Sequence, residues 1–183
     1  MIRLFVGLPL PESCRTALAN IGGGLPGARW IPAENYHITL RFIGEVEEPD
    51  AELIAESLAR LRFPAVTVRI AGLALGGDAH RARTLSAEVE RYPELVELQQ
   101  RVEGLVFGSG ILQPPENRRF RPHVTLARFS GVRPEKLQEF LGAHALIACT
   151  PFVADRVVLY SSVLGRQGSR YTEEVTYPLG DAP

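Results

Sequence analysis

Two stretches of the chain each place a histidine and a threonine two positions apart within an apolar run: His37 and Thr39 in YHITLRFIGE, and His123 and Thr125 in PHVTLARF. Side chains on a β-strand alternate between its two faces. His37, Thr39 and Arg41 therefore share one face, with Ile38, Leu40 and Phe42 on the other. His123 and Thr125 share a face by the same rule. Each strand thus holds an imidazole beside a hydroxyl on a rigid support. Two such pairs facing one another suit in-line displacement at phosphorus, where a base serves the attacking oxygen and an acid the leaving oxygen. Imidazole titrates near neutral pH, so one ring can start neutral and the other protonated. The threonines can donate hydrogen bonds to the non-bridging oxygens as their charge grows. This chemistry requires neither metal nor cofactor.

Other readings of the same residues have less behind them. Zinc could be ligated by two histidines, yet no Glu, Asp or Cys stands at ligand spacing beside them and there is no His-Glu-x-x-His helix. The glycines of GGGLPG follow a helical stretch and lack the lysine and Ser/Thr of a phosphate-binding loop, so they read as a connection. Ser13, Ser161 and Ser162 lie in no nucleophile-elbow pattern. Arg118, Arg119, Arg121 and Arg128 surround the second motif, a local positive field able to hold a phosphodiester. Strict alternation sets Arg128 on the face opposite His123, so it reaches a shared groove only if the strand bends or ends there. Arg41 has the right parity for substrate contact. Phe42 and Phe129 read first as core residues, with Phe42 kept as a candidate platform for a base. His80 and His144 carry no partner pattern and read as a loop residue and a helix-end residue. A protein that merely grips an RNA end with these His and Thr side chains remains a reading from another class.

The elements that must position the motifs follow from periodicity. RLFVGLPL, closed by a proline, reads as a strand, and PESCRTALANI as a helix with Glu12 in its first turn and Ser13 near its start. After the first motif strand, EEPDAELIAESLARL has Leu53, Ile54, Leu58 and Leu61 at helical spacing. AVTVRIAGLALGG and TLSAEVE have period-2 character and predict paired antiparallel strands. YPELVELQQRVEGLVFGSG carries Leu95, Leu98, Val102 and Leu105 on one helical stripe, and RPEKLQEFLGAH follows the second motif as another helix. At the end, GRQGS is a turn signal between two strands. Each half of the chain therefore contains the order strand, helix, motif strand, helix, strand. The expected architecture is α+β: one bilobal domain over 1–183, two pseudo-symmetric lobes with antiparallel sheets and helices, and a groove between the sheets.

Composition sets the outer limits. At 183 residues and 45% hydrophobic the chain can bury a core, while a formal net charge of -1 provides no global field for nucleic acid, so any polyanion contact must be local. Cys14 and Cys149 form no Cys-x-x-Cys pair and read as two unrelated buried thiols. MIRLFVGLPLPESC has too short an apolar part to span a membrane and lacks a signal-peptide cleavage pattern. The expectation is a soluble, cytoplasmic monomer with no obligate protein partner.

The paired HITL and HVTL are similar to the doubled His-x-Thr/Ser-x signature of the two-histidine phosphoesterases. RLFVGLPLP, YHITLRFIGEV, RPHVTLARF and YTEEVTYPL extend the resemblance over essentially the whole chain to the bacterial and archaeal RNA 2',3'-cyclic phosphodiesterases, also called 2'-5' RNA ligases. The resemblance implies a bilobal α+β fold and metal-independent hydrolysis of a terminal 2',3'-cyclic phosphate to a 2'-phosphate. It implies His37 as proton donor to the leaving 3'-oxygen, His123 as proton acceptor from water, Thr39 and Thr125 as phosphate ligands, and Arg128 as their assistant. Ligation would use the same site, with a 5'-hydroxyl in place of water. A small cyclic nucleotide or an ADP-ribose cyclic phosphate is the alternative substrate.

Overall fold

The computed structural model describes residues 1–76, 83–111, 119–165 and 168–180. Of the residues singled out above, His80 and Arg118 lie outside the described residues, as do Arg166 and Gln167 of GRQGS. The elements run β1 (Ile2–Pro9), α1 (Glu12–Ala19), β2 (Ala28–Trp30), a 3-10 turn (Ala33–Asn35), β3 (His37–Val46), α2 (Glu48–Leu58), β4 (Val66–Val68), β5 (Ile70–Gly76), β6 (Thr84–Val89), α3 (Pro93–Phe107), β7 (His123–Phe129), α4 (Pro134–Ala143), β8 (Phe152–Ala154), β9 (Arg156–Gly165) and β10 (Gly168–Pro178). A proline opens α2, α3 and α4 at the first or second helical position, where its fixed φ suits the helix and its missing N–H would have had no partner. Ser13 lies inside α1 and makes no cap; the residue before the helix is Pro11. His144 ends α4, with its Nδ1 3.0 Å from the Phe140 carbonyl oxygen.

Two four-stranded antiparallel sheets carry the motifs, in the orders β10-β9-β1-β3 and β2-β7-β6-β5, beside a two-stranded sheet of β4 and β8. β3 and β7, the motif strands, approach each other between the two large sheets. The lobes do not coincide with the halves of the chain. The final strands β9 and β10 join the sheet of the first motif, and β2, from the first half, lies along the outer edge of β7. The chain halves exchange strands because β1 and β7 each retain a free edge that a distant segment can pair. β5 and β6 pair as the alternation predicts, whereas β4 leaves them to pair with β8.

One connected core fills the space behind both sheets and under the helices. Ile54, Leu58 and Leu61 of the α2 stripe are buried in it, as are Leu95, Leu98, Val102 and Leu105 of α3, while Leu53 is 47% exposed because it sits off the stripe. The helices α2 and α3 pack together, tied by the Ser57 hydroxyl donating to the Leu105 carbonyl at 2.7 Å. Cys14 and Cys149 are not unrelated thiols: they form a disulfide with their Cα atoms 5.3 Å apart. Their separation of 135 residues hid this, since the approach is made in the fold. Cys149 continues the strand region after an Ala71–Ala148 bridge, its N–H donating to the Ile70 carbonyl, which sets it against α1.

Candidate active site

In both motif strands regular alternation stops after the threonine. On β3, Thr39 faces Gly7 of β1 and the next pair is Arg41 with Val6, so Leu40 is an unpaired extra residue. On β7, Thr125 faces Ser86 of β6 and the next pair is Ala127 with Leu85, so Leu126 is extra in the same way. Such β-bulges shift the faces of the residues that follow by one, on β3 until a second unpaired residue, Ile43. Both extra leucines stay in the core, and so do the residues after them, Arg41 and Ala127. The following positions, Phe42 and Arg128, turn outward onto the side of His37, Thr39, His123 and Thr125.

This corrects two expectations based on strict alternation. Arg41 does not face the groove: it is 3% exposed, with Nη1 3.2 Å from Glu103 Oε1 on α3. Phe42 is not a core residue. It is 44% exposed and lines the groove, with the Arg3 guanidinium carbon 5.4 Å from its ring centre. Arg128, which alternation alone sends away from His123, is returned to the groove by the bulge at Leu126. Phe129 is buried, as its pattern predicts.

The groove has a volume of about 370 Å³ and is lined from one side by His37, Thr39 and Phe42 and from the other by Thr125 and Arg128. His123 is exposed, on the same face of β7 as Thr125, and is not itself among the residues that line the groove. The two imidazoles are held alike. His37 Nδ1 lies 2.8 Å from the Asn35 carbonyl oxygen, and His123 Nδ1 lies 2.9 Å from that of Arg121, in each case two residues upstream. A carbonyl can only accept, so Nδ1 carries the hydrogen and in the neutral ring Nε2 holds the lone pair. His37 Nε2 is 3.1 Å from Thr39 Oγ1; the hydroxyl donates to the neutral ring, and the protonated ring donates to the hydroxyl.

His37 is the more enclosed ring. Phe5 lies against it at 4.6 Å between ring centres and Tyr171 meets it edge-on at 5.2 Å. Gly7 keeps β1 close beneath, because a Cβ there would fall 2.8 Å from the Ile38 carbonyl oxygen. The Asn35 side chain donates to the Ser169 carbonyl at 2.7 Å and ties this turn to β10. Burial holds the His37 pKa below its ordinary value; the bond to Asn35 works against this, and the charge on His123 adds to the lowering.

The lowered pKa has a consequence for stability. An unperturbed histidine titrates near 6.5. As the pH falls below that, the unfolded chain takes up a proton that the folded protein resists until its own lower value is reached. The contribution of His37 is therefore complete above pH 6.5 and is lost across the window below it. Melting temperatures from about pH 7.5 down to about pH 5 are expected to fall more steeply for the wild type than for His37→Gln. Parallel curves would contradict the assignment.

Several groove residues had no signal in the sequence. Ser162, Leu164 and Ser169 come from β9 and β10, and Arg29 and Trp30 from the three-residue β2, whose side chains line the groove although the strand is too short to show a period. Among the described residues, three arginines and no carboxylate line the groove, a local positive field in a chain of net charge -1. Among the described residues no three of His, Cys, Asp or Glu gather as a metal site would need.

Comparison with known proteins places this geometry in context. The model of the family described as LigT like Phosphoesterase matches residues 8–85 and 88–171. A protein of Aeropyrum pernix named RNA 2',3'-cyclic phosphodiesterase is 36% identical over 81% of this chain and 84% of its own length. One of the same name from Aquifex aeolicus is 29% identical over 98% of both. The fold is also that of the crystal structure of E. coli LigT in apo form, with a TM-score of 0.77 at 24% identity over 98% of each chain.

Proposed function

Since the chain belongs to the LigT-like phosphoesterase family, we propose that it hydrolyses the terminal 2',3'-cyclic phosphate of RNA to a 2'-phosphate, with His37 and His123 as the acid and base. The observation that carries this reading is the doubled bulged strand. On each motif strand an imidazole and a hydroxyl share one face, with the ring oriented by a carbonyl two residues upstream, and His37, Thr39 and Thr125 line one groove.

His123, the more exposed ring, takes a proton from water as the water oxygen bonds to phosphorus. His37 gives the proton on Nε2 to the 3'-oxygen as that bond breaks, leaving a 3'-hydroxyl and a 2'-phosphate. Thr39 and Thr125 donate to the non-bridging oxygens, and Arg128 supplies positive charge to the same group. A lowered pKa makes the enclosed His37 a strong acid, and the anionic ester restores the imidazolium that burial disfavours. Phe42 offers a face for a base at the groove wall. Because the two histidines are coupled, the rate should follow a bell-shaped pH profile whose two limbs belong to the pair. Replacing water by a 5'-hydroxyl would give 2'-5' ligation in the same geometry.

The partner is thus an RNA end, met by one bilobal unit acting as a monomer. No helix among the described residues is long and apolar enough to cross a membrane. A cytoplasmic location fits such a substrate. Both cysteines of the disulfide are buried, out of easy reach of a reducing thiol.

The test is incubation of an RNA ending in a 2',3'-cyclic phosphate, with chelator present, and identification of the product. A 2'-phosphate is expected. A 3'-phosphate would show that the acid serves the other ribose oxygen, and no turnover would remove the reading.

A further inference from the structure

On the groove side of the second sheet, the residues form successive rungs across the strands. Glu88 faces His123, then Ser86 faces Thr125, and beyond the Leu126 bulge Thr84 faces Arg128, which on its other side faces Arg29 of β2. The last rung therefore places two arginines directly opposite each other in the sheet. Like charges in that position destabilise a sheet. No carboxylate among the described residues ion-pairs with either, and both side chains line the groove. The one acid in the series, Glu88, belongs to the far rung beside His123.

Distance separates this rung from the reacting centre. Ser86 and Thr84 are two residues apart on β6, roughly 7 Å at the usual rise of a strand. A phosphate held between Thr39 and Thr125 therefore lies one rung short of Arg29. The cyclic ester carries a single negative charge, and a protonated histidine with Arg128 already exceeds it. A further cation one step along has work only if a second anion arrives there. The pseudo-symmetric position on the other wall is Phe42, so that wall has no arginine in register with Arg128, and its one lining cation among the described residues, Arg3, lies against the Phe42 ring.

Resting on the proposed reading of the site, we propose that Arg29, set opposite Arg128, forms a subsite for the phosphodiester one nucleotide away from the cyclic end. The substrate class is then an oligonucleotide carrying at least one internal phosphate, in preference to a free cyclic mononucleotide. Arg29 is a specificity-determining residue on this view, and the edge strand β2 exists at the groove to present it.

The test compares a short oligouridylate ending in a 2',3'-cyclic phosphate with uridine 2',3'-cyclic phosphate. In the wild type kcat/KM should favour the oligonucleotide, and Arg29→Gln should shrink that preference by about 10-fold through KM, with Arg29→Lys restoring part of it. Fluorescence anisotropy with the same oligouridylate ending in a 3'-phosphate reads the subsite without turnover: Arg29→Gln should lower the slope of log affinity against log salt by about 0.7, the value for one phosphate contact on a single strand. An unaltered preference together with an unaltered slope overturns the subsite, as does equal loss on both cyclic substrates, which would put Arg29 at the reacting phosphate. If neither cyclic substrate is turned over, the function reading fails while the anisotropy result still decides the subsite.

Discussion

Replacing His37 by alanine is expected to lower single-turnover hydrolysis of a 2',3'-cyclic phosphate by about 10²–10⁴-fold, and replacing His123 by alanine to cost the same order, because in the proposed mechanism each supplies one of the two proton transfers. The double replacement should cost little more than either alone, since one displacement uses both groups in concert. His123 is exposed, so its removal leaves the fold intact and the loss reads as chemistry. His37 fills an aromatic recess, and His37→Gln is the better control there because it keeps most of the volume. Residual activity would come from the threonines and Arg128. Wild-type turnover by either alanine variant would end the acid-base assignment.

The second large effect is on stability. Arg41 and Glu103 link β3 to α3 directly behind the bulge, with Arg41 almost fully enclosed and Glu103 19% exposed. Removing one member of a buried ion pair typically costs about 3–5 kcal/mol, because the other charge stays behind in a poorly solvating place. Glu103→Ala is expected near the lower figure, given the water that still reaches the carboxylate. Replacing both by apolar residues of similar volume, Arg41→Met with Glu103→Leu, should recover most of the loss. Urea unfolding of the two single variants, the double and the wild type closes the cycle. A double variant as unstable as the sum of the singles would mean that the two charges act independently.

The shared strand face of each His-Thr pair was legible because His-x-Thr obeys the two-residue repeat of a strand and lies before the point where that repeat fails. The helices were legible from their apolar stripes, apart from Leu53. Beyond the threonines alternation misled, since a bulge is specified by how β1 and β6 register against the motif strands, which no period within β3 or β7 encodes. The second copy held a hint in the adjacent apolar residues Leu126 and Ala127, both buried. In the first copy Arg41 stands where Ala127 does, and a buried arginine disguises the same step. The strand exchange and the disulfide were illegible for a related reason: both join segments more than a hundred residues apart.

That exchange of strands bears on how the protein is made. A ribosome delivers β1 and β3 early, yet β1 lies between β3 and β9, and β9 emerges only near the end of translation. Until then the nascent polypeptide carries an apolar strand with an unpaired border, the kind of border that invites contacts with neighbouring chains. Neither half can mature as a self-sufficient catalytic module, and the cleft around His37 is finished last.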